Sequence, residues 1–320
     1  MSLRKFMMVL CCGVVVPWQA SAGETAGDLS LPGCASFRSD TNLVSVPVNV
    51  FDSQNRVVNH LDPKSFRVFE DGVEQRIVVG ADDTPASVGF VFDTSASMGA
   101  KLDLSRQAVA EFLRSANPAD EFFLLPFDSK PGALTGFTSR SEDILEQLVH
   151  MKSGGTTALL DAVQRAFLNI RKAHNARRAI IIISDGGDNH SRATKMDIRR
   201  MALEADAQVY SLGTYESPAV RRRSAEELTG PDLLAEISEQ TGGRSFPVQR
   251  SSDFVEAAIR IGFELRNQYL IEYRPENHNW NGTYRRITVE VTQPFGLPPL
   301  HAYWRQGYYG LQQPCVLPTS

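Results

Sequence analysis

Asp93, Ser95 and Ser97 stand at alternating positions directly after the apolar run Ser87–Phe92. One carboxylate and two hydroxyls at this spacing make a set of hard oxygen donors. They suit Mg²⁺ or Mn²⁺, since Mg²⁺ takes few protein ligands and keeps several of its waters. A short D-x-S-x-S pattern also has a plainer use, because Asp and Ser at a strand-to-helix turn cap helices. Two later stretches supply further donors. Ser153-Gly154-Gly155-Thr156-Thr157 is a hydroxyl-bearing loop ahead of a helical pattern, and Ser184-Asp185-Gly186-Gly187-Asp188 closes a second apolar run, Ala179–Ile183.

To act together these groups must be carried to one place. Short, continuously apolar runs ending in polar residues read as buried strands of a doubly wound, mostly parallel α/β sheet, whose carboxyl ends form the edge where ligands bind. The intervening pattern agrees. Leu104, Ala108, Val109, Phe112 and Leu113 follow helical spacing, Glu121–Phe127 reads as a strand, and Ser141 can cap a helix with Glu142 and Asp143 in its first turn. Further helices are expected over 158–173, 196–205, 231–240 and 254–266, with a strand at Gln208–Leu212. A loop follows that last strand and carries Arg221-Arg222-Arg223, read as a solvated charge cluster.

Outside this unit the chain alternates as antiparallel β does, at Val44–Phe51, Phe66–Phe69 and Gln75–Val79, and again at Tyr269–Tyr273, Arg286–Val291, Ala302–Trp304 and Gly307–Tyr309. Neither half has strands enough to bury its own face, so the two are expected to pair as one small β-sandwich with the α/β unit inserted in it.

The ordered motifs resemble the von Willebrand factor type A family, whose metal-ion-dependent adhesion site is D-x-S-x-S, a distant Thr and a distant Asp. The resemblance assigns Asp93, Ser95, Ser97 and Asp185 to the metal. For the threonine, aligning Ala158-Leu159-Leu160-Asp161 with the family's helix start favours Thr157 over Thr156. In that family the serines and threonine reach the metal directly, the aspartates act largely through water, and the open position accepts a partner's carboxylate. The turn at Glu70, Thr241-Gly242-Gly243-Arg244 and the terminal Gly307-Tyr308-Tyr309 further resemble a bacterial secreted subgroup.

The 320 residues, with 33 basic against 37 acidic side chains and a formal charge of −4, describe a globular chain with no basic face, which argues against nucleic acid as partner. Arg4 and Lys5 precede an apolar run to Val16 and small residues at Ala20-Ser21-Ala22, the pattern of a secretory signal. Cys11 and Cys12 read as part of that run rather than as a lipid anchor. No other stretch is long and apolar enough for a transmembrane helix. The expected organisation is signal peptide 1–22, N-terminal β segment 23–82, metal domain 83–266, C-terminal β segment 267–310 and tail 311–320. Export to the periplasm or beyond would place Cys34 and Cys315 in an oxidising compartment, where they could close a disulfide, or remain free or intermolecular thiols.

The function expected is a non-enzymatic adhesion module that binds a protein ligand through an Asp or Glu. A metal-dependent hydrolase is the alternative, with His190 as the histidine nearest Asp185 in sequence but without a partner to make it a base. A scaffold with a structural metal is the third reading. The sequence leaves the ligand and the oligomeric state open.

Overall fold

A computed structural model describes residues 43–80, 84–214, 230–248, 250–293, 296 and 298–310. The signal segment, Cys34, Cys315 and Arg221–Arg223 lie outside the described residues, so the structure does not bear on the expected bridge.

β5 (Ala86–Asp93) is buried at every position. It lies at the centre of a parallel sheet between β6 (Glu121–Phe127) and β7 (Arg177–Ser184), with β8 (Gln208–Thr214) and β9 (Ser245–Val248) beyond β7. A strand covered on both faces has no solvent side, which is why β5 and β7 read as unbroken apolar runs. Val88, Phe90 and Phe92 face a helical layer formed by α1 (Leu102–Arg114), α2 (Ser141–His150) and α6 (Ser251–Arg266). Val91 faces the other layer, α3 (Leu159–Ile170), α4 (Lys195–Glu204) and α5 (Gly230–Gln240). Gly89 is fixed by this packing, because a Cβ there would stand 2.1 Å from the Phe123 ring. The outer edge of β6 is covered by an irregular segment, with Phe122 and Thr138 exchanging backbone bonds.

The strand expected at Gln75–Val79 is broken at Arg76 into Val73–Gln75 and Ile77–Gly80, which belong to different sheets because the chain crosses the sandwich there. Two details of the α/β unit also differ from the sequence expectations. The residue capping α2 is Arg140, and Ser141 is already helical; Asp143 is instead held by the Thr138 hydroxyl at 2.7 Å. The strand β9 was not expected, since Ser245-Phe246-Pro247-Val248 is short and contains a proline, which survives here at the sheet edge.

The order β6-β5-β7-β8-β9 reverses direction at β5: the chain passes to β6 on one side and returns to β7 on the other. The loops leaving β5 and β7 therefore diverge and open a crevice at their carboxyl ends.

Two four-stranded antiparallel sheets flank this unit. One has the order β12-β1-β10-β4, from His301–Trp304, Val44–Phe51, Tyr269–Tyr273 and Ile77–Gly80; the other, β13-β11-β2-β3, comes from Gly307–Tyr309, Tyr284–Val291, Phe66–Glu70 and Val73–Gln75. They share one core containing Val46, Val48, Val68, Ile271, Ile287 and Val289. Leu270 pairs directly with Gly80, so the α/β unit is inserted between two neighbouring strands. Inside the sandwich Arg285, 1% exposed, bonds Glu70, 2% exposed, at 2.9 Å, and Glu70 also accepts from the hydroxyls of Tyr273 (2.9 Å) and Tyr308 (2.7 Å).

Only Asn267 and Gln268 separate α6 from β10. Gln268 is fully buried and donates to Gln208 Oε1 at 2.5 Å. Nearby, the Glu264 carboxyl bonds Arg244 at 2.7 Å, while the Arg244 guanidinium lies over the rings of Phe51, Phe246 and Tyr303. Burial pushes Glu264 up to about 7 against the opposing pull of Arg244.

Candidate metal centre

The crevice brings the three motifs together. Asp93 ends β5 with no solvent exposure, and its carboxylate is fixed at both oxygens: Oδ1 accepts from the Ser95 backbone N–H at 2.8 Å, and Oδ2 from the Ser184 hydroxyl at 2.6 Å. The first bond is an Asx turn, which swings the chain out of the strand and sets Ser95 and Ser97 on the same turn. Their Oγ atoms are 3.1 Å apart. Adjacent ligands of an octahedral ion with metal–oxygen distances near 2.1 Å lie about 3.0 Å apart, so the pair matches an edge of that octahedron.

The glycine loop is docked on this turn by its backbone. Gly154 donates to Thr94 O at 2.8 Å, and Ala96 donates to Gly155 O at 3.2 Å. Gly155 has φ +79°, and a Cβ there would stand 2.6 Å from Ser129 Oγ, so the close approach of the loops depends on glycine. The docking leaves Thr156 exposed, its N–H on Ser129 Oγ at 3.1 Å, and Thr157 buried at 5% exposure.

Asp185, 3% exposed, follows β7, and its Oδ1 accepts from the Gly187 N–H at 3.2 Å. Burial is the main cause that pushes Asp93 up to about 6; hydrogen bonds from Ser184 and Ser95 oppose it, and the Asp185 carboxylate adds to the rise. No Lys or Arg is ion-paired with either aspartate among the described residues. Two buried carboxylates with no cation between them, beside paired hydroxyls, fit a divalent ion as donor set and as charge. No group of three or more His, Cys, Asp or Glu side chains suited to a metal occurs among the described residues, and this set has only two such members, its other donors being hydroxyls.

Ser184 and Asp188, which lie in the quoted stretch but were not assigned to the metal, and Asn189 complete the arrangement. Asn189 Oδ1 accepts the Thr157 N–H at 2.9 Å, and Thr157 O accepts the N–H groups of Asn189 (3.0 Å) and His190 (3.1 Å). Asp188 Oδ1 accepts the Leu159 N–H at 2.9 Å and the Ser191 hydroxyl at 2.6 Å. The β7 loop thus clamps the threonine loop on both sides of Ala158. The signal was Asx residues just beyond a strand end, but Asn189 lies 32 residues from its partner. His190 is exposed.

Residues 88–187 match the family model described as von Willebrand factor type A domain. An uncharacterized protein of Borreliella burgdorferi is 24% identical over 190 residues, 53% of this chain and 55% of the relative, so the chain spans about half the length of the curated relative it matches. Among solved structures, a von Willebrand factor type A protein from Catenulispora acidiphila is similar with TM-score 0.49 and 11% identity, covering 85% of this chain and 74% of that one. The conserved hypothetical protein BatB from Bacteroides thetaiotaomicron has TM-score 0.44 and 20% identity, covering 56% of this chain and 97% of that one.

Proposed function

Since the chain carries a von Willebrand factor type A domain, we propose that it is an exported binding module that captures an acidic group of a protein partner through Mg²⁺ or Mn²⁺. Asp93, Ser95, Ser97, Thr157 and Asp185 hold the ion. The supporting observation is the pair of buried aspartates without a cation, next to two hydroxyls 3.1 Å apart. When bound, the ion supplies an open coordination position that accepts a carboxylate oxygen.

The chain's own residues do the positioning. Ser184 and the Ser95 N–H hold the Asp93 carboxylate in one orientation, and Asn189 holds the backbone of Thr157. A site fixed in this way on strand ends loses little order on binding. The activity proposed is capture rather than turnover. No helix among the described residues is long and apolar enough to cross a membrane. The proposal places the protein outside the cytoplasm because of the N-terminal signal pattern.

The test is retention of a partner from the envelope fraction on the immobilised chain with Mg²⁺, with chelator, and with Asp93→Ala in place of the wild type. Retention by the wild type in Mg²⁺ alone is the expected result. Equal retention in all three conditions would remove the metal from the mechanism.

A further inference from the structure

Three loops meet around the crevice, and each carries an exposed cation. Lys130 follows Ser129, whose hydroxyl accepts the Thr156 N–H at 3.1 Å. Lys152 precedes Ser153, whose Oγ lies 3.2 Å from where a Cβ on Gly99 would stand, and the next residue, Gly154, is bonded to Thr94. Arg192 stands three residues beyond Asn189, with its backbone N–H on Asp161 Oδ1 at 3.0 Å.

None of the three is in an ion pair among the described residues. The carboxylates nearby are engaged elsewhere. Asp161 accepts from the backbone of Arg192 and Ala193, Asp188 from Leu159 and Ser191, and Asp128 from the Lys130 N–H at 3.4 Å. A ligand offering a single carboxylate would occupy the metal and leave this rim unused.

We propose that the partner segment is acidic along its length, with one carboxylate on the metal and neighbouring ones on Lys130, Lys152 and Arg192. The inference rests on the metal-dependent reading above. Rim charges of this kind act mainly on the rate of association and its salt dependence, and exposed pairs weaken as salt screens them. The metal contact fixes the register of the segment, and the rim selects acidic neighbours on either side of it.

The full chain in Mn²⁺ is titrated with two fluorescent peptides, hexa-aspartate and a polyglycine bearing one aspartate. Wild type is compared with Asp93→Ala and with the neutral triple variant Lys130→Gln/Lys152→Gln/Arg192→Gln, whose surface changes leave the core intact. The triple variant should keep the wild-type affinity for Mn²⁺ itself and for the single-aspartate peptide, and lose about tenfold in affinity for hexa-aspartate, a loss that shrinks at high salt. The Asp93→Ala variant should lose Mn²⁺ and both peptides. Mn²⁺ binding with hexa-aspartate affinity unchanged in the triple variant overturns the acidic-segment proposal and leaves the metal reading standing. A wild type that binds no Mn²⁺ overturns the metal reading itself. Hexa-aspartate binding that survives chelator would show that no carboxylate reaches a metal. An oligothymidylate bound as tightly as hexa-aspartate would show a general polyanion surface, which also overturns the proposal.

Discussion

At Asp93 the needs of folding and of the proposed metal binding conflict. The side chain is fully buried, its acidity is weakened to about 6, and its nearest charged neighbour is another carboxylate. Such a group destabilises the metal-free fold, and natural sites commonly trade stability for function in this way. Asp93→Asn keeps the shape and removes the charge, so thermal melting in chelator should show the variant at least as stable as wild type, while added Mn²⁺ should raise the melting temperature of wild type alone. The threonine register is decided by a second pair of variants. Thr157→Val should abolish Mn²⁺ binding and Thr156→Val should leave it unchanged, because only Thr157 is buried beside the crevice. Asp93, Ser95, Ser97 and Asp185 were legible in the sequence because each follows an apolar run, so type and position coincide. Asn189 was not, since Asn is common in turns and its contact with Thr157 exists only after β7 and the threonine loop meet.

At the scale of elements, the β7 loop fastens the threonine loop through Asn189 and Asp188. Asn189→Ala removes the acceptor for the Thr157 N–H, and an amide left without a partner costs about 1–3 kcal/mol when buried. Because the clamp holds the backbone of Thr157, the expected result is weaker Mn²⁺ binding by calorimetry together with a drop of a few degrees in melting temperature in chelator. A lower melting temperature with Mn²⁺ affinity unchanged would mark Asn189 as a structural residue only. The helix α6 makes a different prediction. Glu264 has a folded acidity near 7 against 4.5 when unperturbed, so the folded state binds the proton more tightly and stability declines as pH rises from about 4.5 through about 7. The contribution of Asp93 to the same trend ends near 6. Between pH 6 and 7, therefore, Glu264→Gln should flatten the decline seen in wild type by denaturant titration; parallel curves in that window would show that Glu264 is ionised throughout. The helices themselves were legible from their apolar stripes. The edge strand β9 was not, because its pairing with β8 is set by the sheet rather than by its own four residues.

Among the described residues, the two halves of the sandwich flank the α/β unit in sequence. Strand counting anticipates this, since neither half closes alone, but the register of the halves depends on contacts between distant residues. Arg285 and Glu70 are such a contact, joining the C-terminal segment to the N-terminal one inside the core. Arg285→Met strands the Glu70 carboxylate and should cost about 3–5 kcal/mol in denaturant unfolding, whereas adding Glu70→Leu to the same chain should recover part of that loss. Additive losses would mean that the two residues act independently.

Metal binding at Asp93 is tested most directly by calorimetric titration of the chain beginning at Gly23 with Mn²⁺, for wild type and Asp93→Ala. The expected result is a single saturable site in wild type and no binding in the variant, with both retaining the same far-ultraviolet circular dichroism. Equal Mn²⁺ affinity in the two proteins, or no binding in either, would contradict it.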